Sequence, residues 1–196
     1  MSNTPRLAVL GSGKGSNFVA IQEAILAGKL DAQIVLVASD LPDAVILTRA
    51  AGFGLSAATL SPSPFRTKLS PEGEVALVEL LRRHAAEWVV LAGYMRVVKS
   101  PLLDAFPDRI VNIHPSLLPA FKGLRAWEQA LAAGVSETGC TVHFVNRDVD
   151  AGKIIAQRRV PVLAGDTPET LHARIQVAEH ELYPTALAKV LSCGRQ

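Results

Sequence analysis

Cysteine is scarce in this 196-residue chain, which carries only Cys140 and Cys193. Two thiols so far apart, with no metal-ligand spacing, argue against a disulfide framework or a zinc module and for free thiols in a reducing compartment. Aromatic residues make up 5% of the chain and charged residues 19%, with a formal net charge of only +2. So balanced a charge gives no ground for a nucleic-acid surface, yet it permits a local basic pocket for an anionic small molecule. Long apolar runs are also missing. The first one, residues 7–10, follows a short polar start and is too short for a signal-peptide core or a membrane span. The expectation is a cytoplasmic protein without nucleic-acid or membrane partners, with no bound metal, and a monomer or homodimer.

What is present is apolar material, 49% of the residues, enough for a core and for one domain over 1–196. Short aliphatic runs at 7–10, 34–38, 88–92 and 109–113 are apolar without alternation, as strands buried on both faces require. Helical patterns at 16–27, 44–51 and 74–86 separate them, the last with Val75, Val78 and Leu81 as its expected buried side. This β-α-β order predicts a Rossmann-like α/β fold with a largely parallel, doubly wound sheet. Runs at 140–145 and 154–162, joined by a turn, predict antiparallel strands added in the C-terminal half, with Pro161 ending the second or placing it at an edge. A short helix at 126–133 ends at Gly134, and a last helix opens at Thr167 and Pro168. Pro184 falls inside that helix and predicts a kink or break. Residues 60–71 read as a loop over a site.

Between the first strand and the first helix lies Gly-Ser-Gly-Lys-Gly-Ser-Asn, residues 11–17. Small residues at a helix start let backbone N–H groups approach an anion, and Lys14 adds a point charge. Ser16 or Asn17 is expected to cap the helix. The loop is a poor Walker A and an imperfect dinucleotide fingerprint, although Asp40 at the end of the second strand stands where a ribose would be held. The plain alternative is a tight turn with no ligand.

The sharpest feature is Asn112-Ile113-His114-Pro115. Residues two apart on a strand point to the same face, and the proline stops the strand there. An amide donor beside an imidazole suits acyl or formyl transfer, in which negative charge develops on a carbonyl oxygen. Asp150, in Asp148-Val149-Asp150-Ala151-Gly152, reads on local chemistry as a turn residue.

Together, Gly11 to Asn17, Leu-Ala-Gly-Tyr-Met-Arg (91–96), Asn-Ile-His-Pro-Ser-Leu-Leu-Pro (112–119), Gly-Cys-Thr-Val-His-Phe-Val (139–145) and Asp-Ala-Gly-Lys-Ile-Ile (150–155) resemble the folate-dependent glycinamide ribonucleotide transformylases of purine biosynthesis. The likeness spans nearly the whole chain. It implies the formyltransferase fold, with a phosphate-binding half at 1–100 and a catalytic and folate-binding half at 101–196. It implies formyl transfer from 10-formyltetrahydrofolate, a co-substrate and not a tightly bound cofactor, to the amine of glycinamide ribonucleotide. It promotes Asp150 into a catalytic trio with Asn112 and His114, in which Asp150 holds His114 protonated. It assigns Gly15, Ser16, Asn17 and Glu179 to the ribonucleotide. It assigns Arg66, Met95, Arg96, Val97 and Val98 to the folate, with Asn112, Asn146, Asp148 and Asp150. A cis Leu118–Pro119 bond is also expected. The alternatives are a formyltetrahydrofolate hydrolase core and a nicotinamide-dependent oxidoreductase using the glycine loop.

Overall fold

The computed structural model describes residues 4–193, apart from the side chain of Cys193. Seven strands form one sheet in the order β3-β2-β1-β4-β5-β6-β7. They are β1 (Arg6–Leu10), β2 (Gln33–Ser39), β3 (Ala57–Thr59), β4 (Trp88–Leu91), β5 (Ile110–His114), β6 (Glu137–Phe144) and β7 (Ile154–Pro161). β1 to β5 pair in parallel, whereas β6 and β7 add on antiparallel to β5. β7 is an edge strand and ends at Pro161, whose missing N–H costs nothing there.

The helices are α1 (Ser16–Leu26), α2 (Val45–Gly52), α3 (Pro71–Arg83), α4 (Ser100–Ala105), α5 (Ala126–Ala132) and α6 (Pro168–Cys193). They cover both faces of the sheet, which is why its central strands are continuously apolar. Leu7 and Val9 pack on one side with Phe18, Ile21, Ile46 and Leu187. Ala8 and Leu10 point the other way, onto Leu77, Leu81 and Leu102. The period-2 alternation of a strand sends neighbouring side chains into two separate cores.

Several expectations need correction. β3 and α4 are three and six residues long, too short for a periodic pattern to announce them. α3 starts at Pro71, because the Ser70 hydroxyl accepts the Gly73 N–H at 3.1 Å and Pro71 suits the first helical position. Its buried side is Glu74, Leu77, Val78 and Leu81, while Val75 faces solvent. α6 does not break at Pro184. Tyr183, Ala186, Leu187 and Leu191 are all buried around and beyond it, so core packing carries the helix past one lost backbone bond.

The Leu118–Pro119 peptide is cis. Thr141 and Gln157 hold the turn around it. The Thr141 hydroxyl accepts the Leu118 N–H at 3.1 Å, and the Gln157 amide donates to the Leu118 carbonyl at 2.9 Å. Cys140 is a buried free thiol, its pKa pushed up to about 12 by burial. No helix is long and apolar enough to cross a membrane among the described residues.

Candidate active site

The strand order reverses between β1 and β4, and open α/β sheets bind ligands at the carboxyl ends of strands flanking such a switch. Here the loop after β1 and the segment after β4 lie side by side, with the Ser12 N–H donating to the Gly93 carbonyl at 3.0 Å. Beyond β4 and β5 opens a cavity of about 200 Å³. Asn112, His114 and Asp150 all line it.

Asn112 and His114 reach the cavity from the last turn of β5, as their spacing requires. His114 Nε2 lies 2.9 Å from the Phe121 carbonyl, and its Nδ1 lies 3.3 Å from Asp150 Oδ2. Both ring nitrogens therefore face oxygen acceptors. The Asp150 contact is longer than a good charge-assisted bond, so the Nδ1 donor can be shared with a ligand oxygen.

A second histidine, His143 on β6, completes the site. Its Nδ1 donates to the Phe144 carbonyl at 2.8 Å, which leaves Nε2 as an acceptor for the Asn112 amide at 3.2 Å. Burial pushes its pKa below the ordinary imidazole value and outweighs the nearby Asp150. His143 Nε2 lies 3.7 Å from Asp150 Oδ1, beyond hydrogen-bond distance. One Asn112 N–H is tied to His143, and the other is left for the cavity. The sequence pattern does not single out His143, because only the pairing of β6 with β5 lays it against Asn112.

Asp150 is aimed inward by its backbone. It holds the left-handed conformation at φ 48°, and its Oδ2 accepts the Gly123 N–H at 2.9 Å. Two residues on, Gly152 passes so close to β6 that a Cβ there would sit 1.7 Å from the Phe144 carbonyl oxygen. Glycine is needed at that crossing, and it turns the loop back over the cavity.

The folate-side expectations fall at the same place. Met95, Arg96, Val97 and Val98 line one wall, and Asn146 and Asp148 line another. The Asn146 side chain also accepts the Asp148 N–H at 3.1 Å, shaping its own turn. The Arg96 guanidinium is committed elsewhere. Its Nε donates to Asp40 at 2.6 Å, and Nη1 donates to the carbonyls of Phe65 at 2.5 Å and Lys68 at 3.0 Å. Arg66 is exposed in the 60–70 loop and is not part of the lining.

At the first loop, Gly15 is the N-cap of α1 in the left-handed conformation and no side chain caps the helix. The expected Ser16 or Asn17 cap is absent, because both residues lie inside the helix behind the Gly15 N-cap, and Asn17 Nδ2 donates instead to buried Glu179 at 2.8 Å. The uncapped first turn leaves backbone donors for an anion, and the buried Asn17 Oδ1 has no partner within the described residues. Gly11 and Gly15 are also demanded by packing, since a Cβ on either would strike Ile46 at under 3 Å. Gly13, by contrast, has open space around it. Glu179 is 5% exposed, and burial raises its pKa to about 7 against the lowering effect of Asn17.

Asp40 does not serve a dinucleotide ribose. Its two oxygens are taken by Ser12 Oγ at 2.5 Å and Arg96 Nε at 2.6 Å. No group of three or more His, Cys, Asp or Glu side chains among the described residues is placed to hold a metal ion.

Known proteins resemble this chain in sequence and fold. The family model described as formyl transferase matches residues 5–187. A phosphoribosylglycinamide formyltransferase of Bacillus subtilis is 41% identical over 191 residues, covering 97% of each chain. The human trifunctional purine biosynthetic protein adenosine-3 is 42% identical over 187 residues, which is 95% of this chain and 18% of that one. Among solved structures, glycinamide ribonucleotide transformylase 1 from Symbiobacterium toebii superposes with a TM-score of 0.93 at 46% identity, covering 100% of this chain and 91% of that one. The fold and the sequence match both run along nearly the whole length, and the chain belongs to the formyl transferase family.

Proposed function

We propose that this enzyme transfers the formyl group of 10-formyltetrahydrofolate to the amine of N1-(5-phospho-D-ribosyl)glycinamide, a step of purine (IMP) biosynthesis. The observation that carries the reading is the convergence of an Asn112 amide, a His114 ring with acceptors at both nitrogens and the Asp150 carboxylate on one cavity. The names of relatives matched along nearly their whole length point the same way.

The substrate amine attacks the formyl carbon and its carbonyl oxygen takes up negative charge. Asn112 donates its free N–H to that oxyanion, and His114 supplies the Nδ1 donor and a positive charge beside it. Asp150 accepts the proton released by the attacking nitrogen, directly or through water. The bond from the carbon to N10 of the folate then breaks, N10 takes a proton, and formylglycinamide ribonucleotide and tetrahydrofolate leave. The uncapped start of α1, with Gly15, Ser16 and Asn17, takes the phosphate. Glu179 receives the ribose and amine end. The backbone of Met95 to Val98, with Asn146 and Asp148, holds the pterin.

Formate release measured with and without glycinamide ribonucleotide tests this. Formyl transfer that requires the ribonucleotide is the expected result. Formate release that ignores it would establish a hydrolase instead.

A further inference from the structure

The loop at 11–17 and the wall at 93–98 are joined by a buried network with one carboxylate at its centre. Asp40 leaves the end of β2, and its side chain is 6% exposed. Its Oδ1 accepts from the Ser12 hydroxyl at 2.5 Å, and that hydroxyl accepts the Met95 N–H at 2.9 Å. Its Oδ2 accepts from Arg96 Nε at 2.6 Å. Arg96 extends the network to the Phe65 and Lys68 carbonyls, and the Val97 N–H donates to the Thr67 carbonyl at 2.8 Å. Four chain segments far apart in sequence thus share one network of hydrogen bonds.

We propose that Asp40 is a positioning residue that couples the ribonucleotide site to the folate site. The assignment of a ligand to each segment rests on the function proposed above. Ser12 belongs to the phosphate loop, and Met95 and Arg96 belong to the pterin wall. A phosphate that orders the loop fixes the Ser12 hydroxyl, and with it the Met95 N–H. A pterin that orders the wall fixes Arg96, and with it Asp40. The ligand that arrives second meets a network the first already holds in its bound geometry, so it binds more tightly. Linkage makes the effect equal in both directions. Partially buried charges at these distances hold a defined geometry, whereas a solvent-exposed pair would not.

The test is calorimetric, with glycinamide ribonucleotide titrated in the absence and presence of saturating tetrahydrofolate, which has no formyl group to transfer. In the parent enzyme, tetrahydrofolate should tighten ribonucleotide binding about fivefold or more. In Asp40→Ala the ratio should shrink to within about twofold. Asp40→Asn, which keeps the shape and loses the charge, should fall between. A merely structural role would lower the melting temperature and weaken each separate affinity while leaving the ratio alone. The proposal is overturned by a parent ratio near one, or by a folded Asp40→Asn or Asp40→Ala that keeps the parent's ratio. If Asp40→Ala does not fold, Asp40→Asn decides. A parent that shows the coupling but no formyl transfer sinks the proposed reaction and leaves the coupling standing.

Discussion

Nδ1 of His114 stands 3.3 Å from Oδ2 of Asp150, although one residue ends a parallel strand and the other sits in the turn beyond the next strand. β6 runs antiparallel to β5 and ends beside its start, with the Val145 N–H donating to the Ile110 carbonyl. The loop after β6 must therefore run back along the sheet for Asp150 to reach His114 at the carboxyl end of β5.

Asn112→Ala removes the amide donor and Asp150→Asn removes the charge that faces His114. Each should lower kcat about 10²–10³-fold in a folded protein, by analogy with losing one oxyanion donor. Binding of glycinamide ribonucleotide, measured by calorimetry, should survive both. Near-parent turnover in both variants would overturn the assignment.

His143→Phe keeps a ring in place and deletes the acceptor for Asn112 Nδ2. The stranded amide should cost about 1–3 kcal/mol in denaturant unfolding. kcat should fall more than the KM of either substrate, since the ring acts by aiming Asn112. His143 also has its folded pKa below the ordinary 6.5, so the unfolded chain alone takes up a proton as pH drops past that value. This contribution to stability is present above about pH 6.5 and is lost as pH falls below it. The Phe variant should lack that part of the acid dependence.

Gly152→Ala places a Cβ 1.7 Å from the Phe144 oxygen, and backbone is the atom in the way. The crossing must open, at a cost of about 3 kcal/mol or more. Activity should fall with it, because the same turn carries Asp150. Thermal unfolding and steady-state kinetics check this together.

Glu179 gives the opposite pH dependence to His143. Its folded pKa is raised from 4.5 to about 7 by burial. Below pH 4.5 it is protonated in both states. Between 4.5 and 7 the unfolded chain releases the proton that the folded chain keeps, so stability declines as pH rises through that window. The loss approaches about 3 kcal/mol above pH 7. Glu179→Gln should flatten this decline in ligand-free protein, as read from denaturant midpoints between pH 4.5 and 8. It should also raise the KM for the ribonucleotide, since a carboxylate acceptor is gone.

Much of the site was legible in the linear chain because its information is local. The Asn112–His114 spacing fixes a shared face, the proline stops the strand beneath them, and the glycine loop can only be a strand-to-helix turn. The apolar runs that became β1, β2, β4 and β5 were readable because strands buried on both faces favour apolar residues on both. What local pattern could not supply is pairing across the sheet. Asp150 looked like a turn former and is one, since its left-handed φ and its inward carboxylate are the same fact. His143 looked like one polar residue in a strand until β6 laid it against Asn112. Asp40 invited a ribose until Arg96 and Ser12 occupied both of its oxygens. The sequence by itself determined six of the seven strands and the Asn112–His114 pair at the end of β5. Only the tertiary structure decided the partners of those side chains, because a hydrogen bond depends on distances that chain order does not encode.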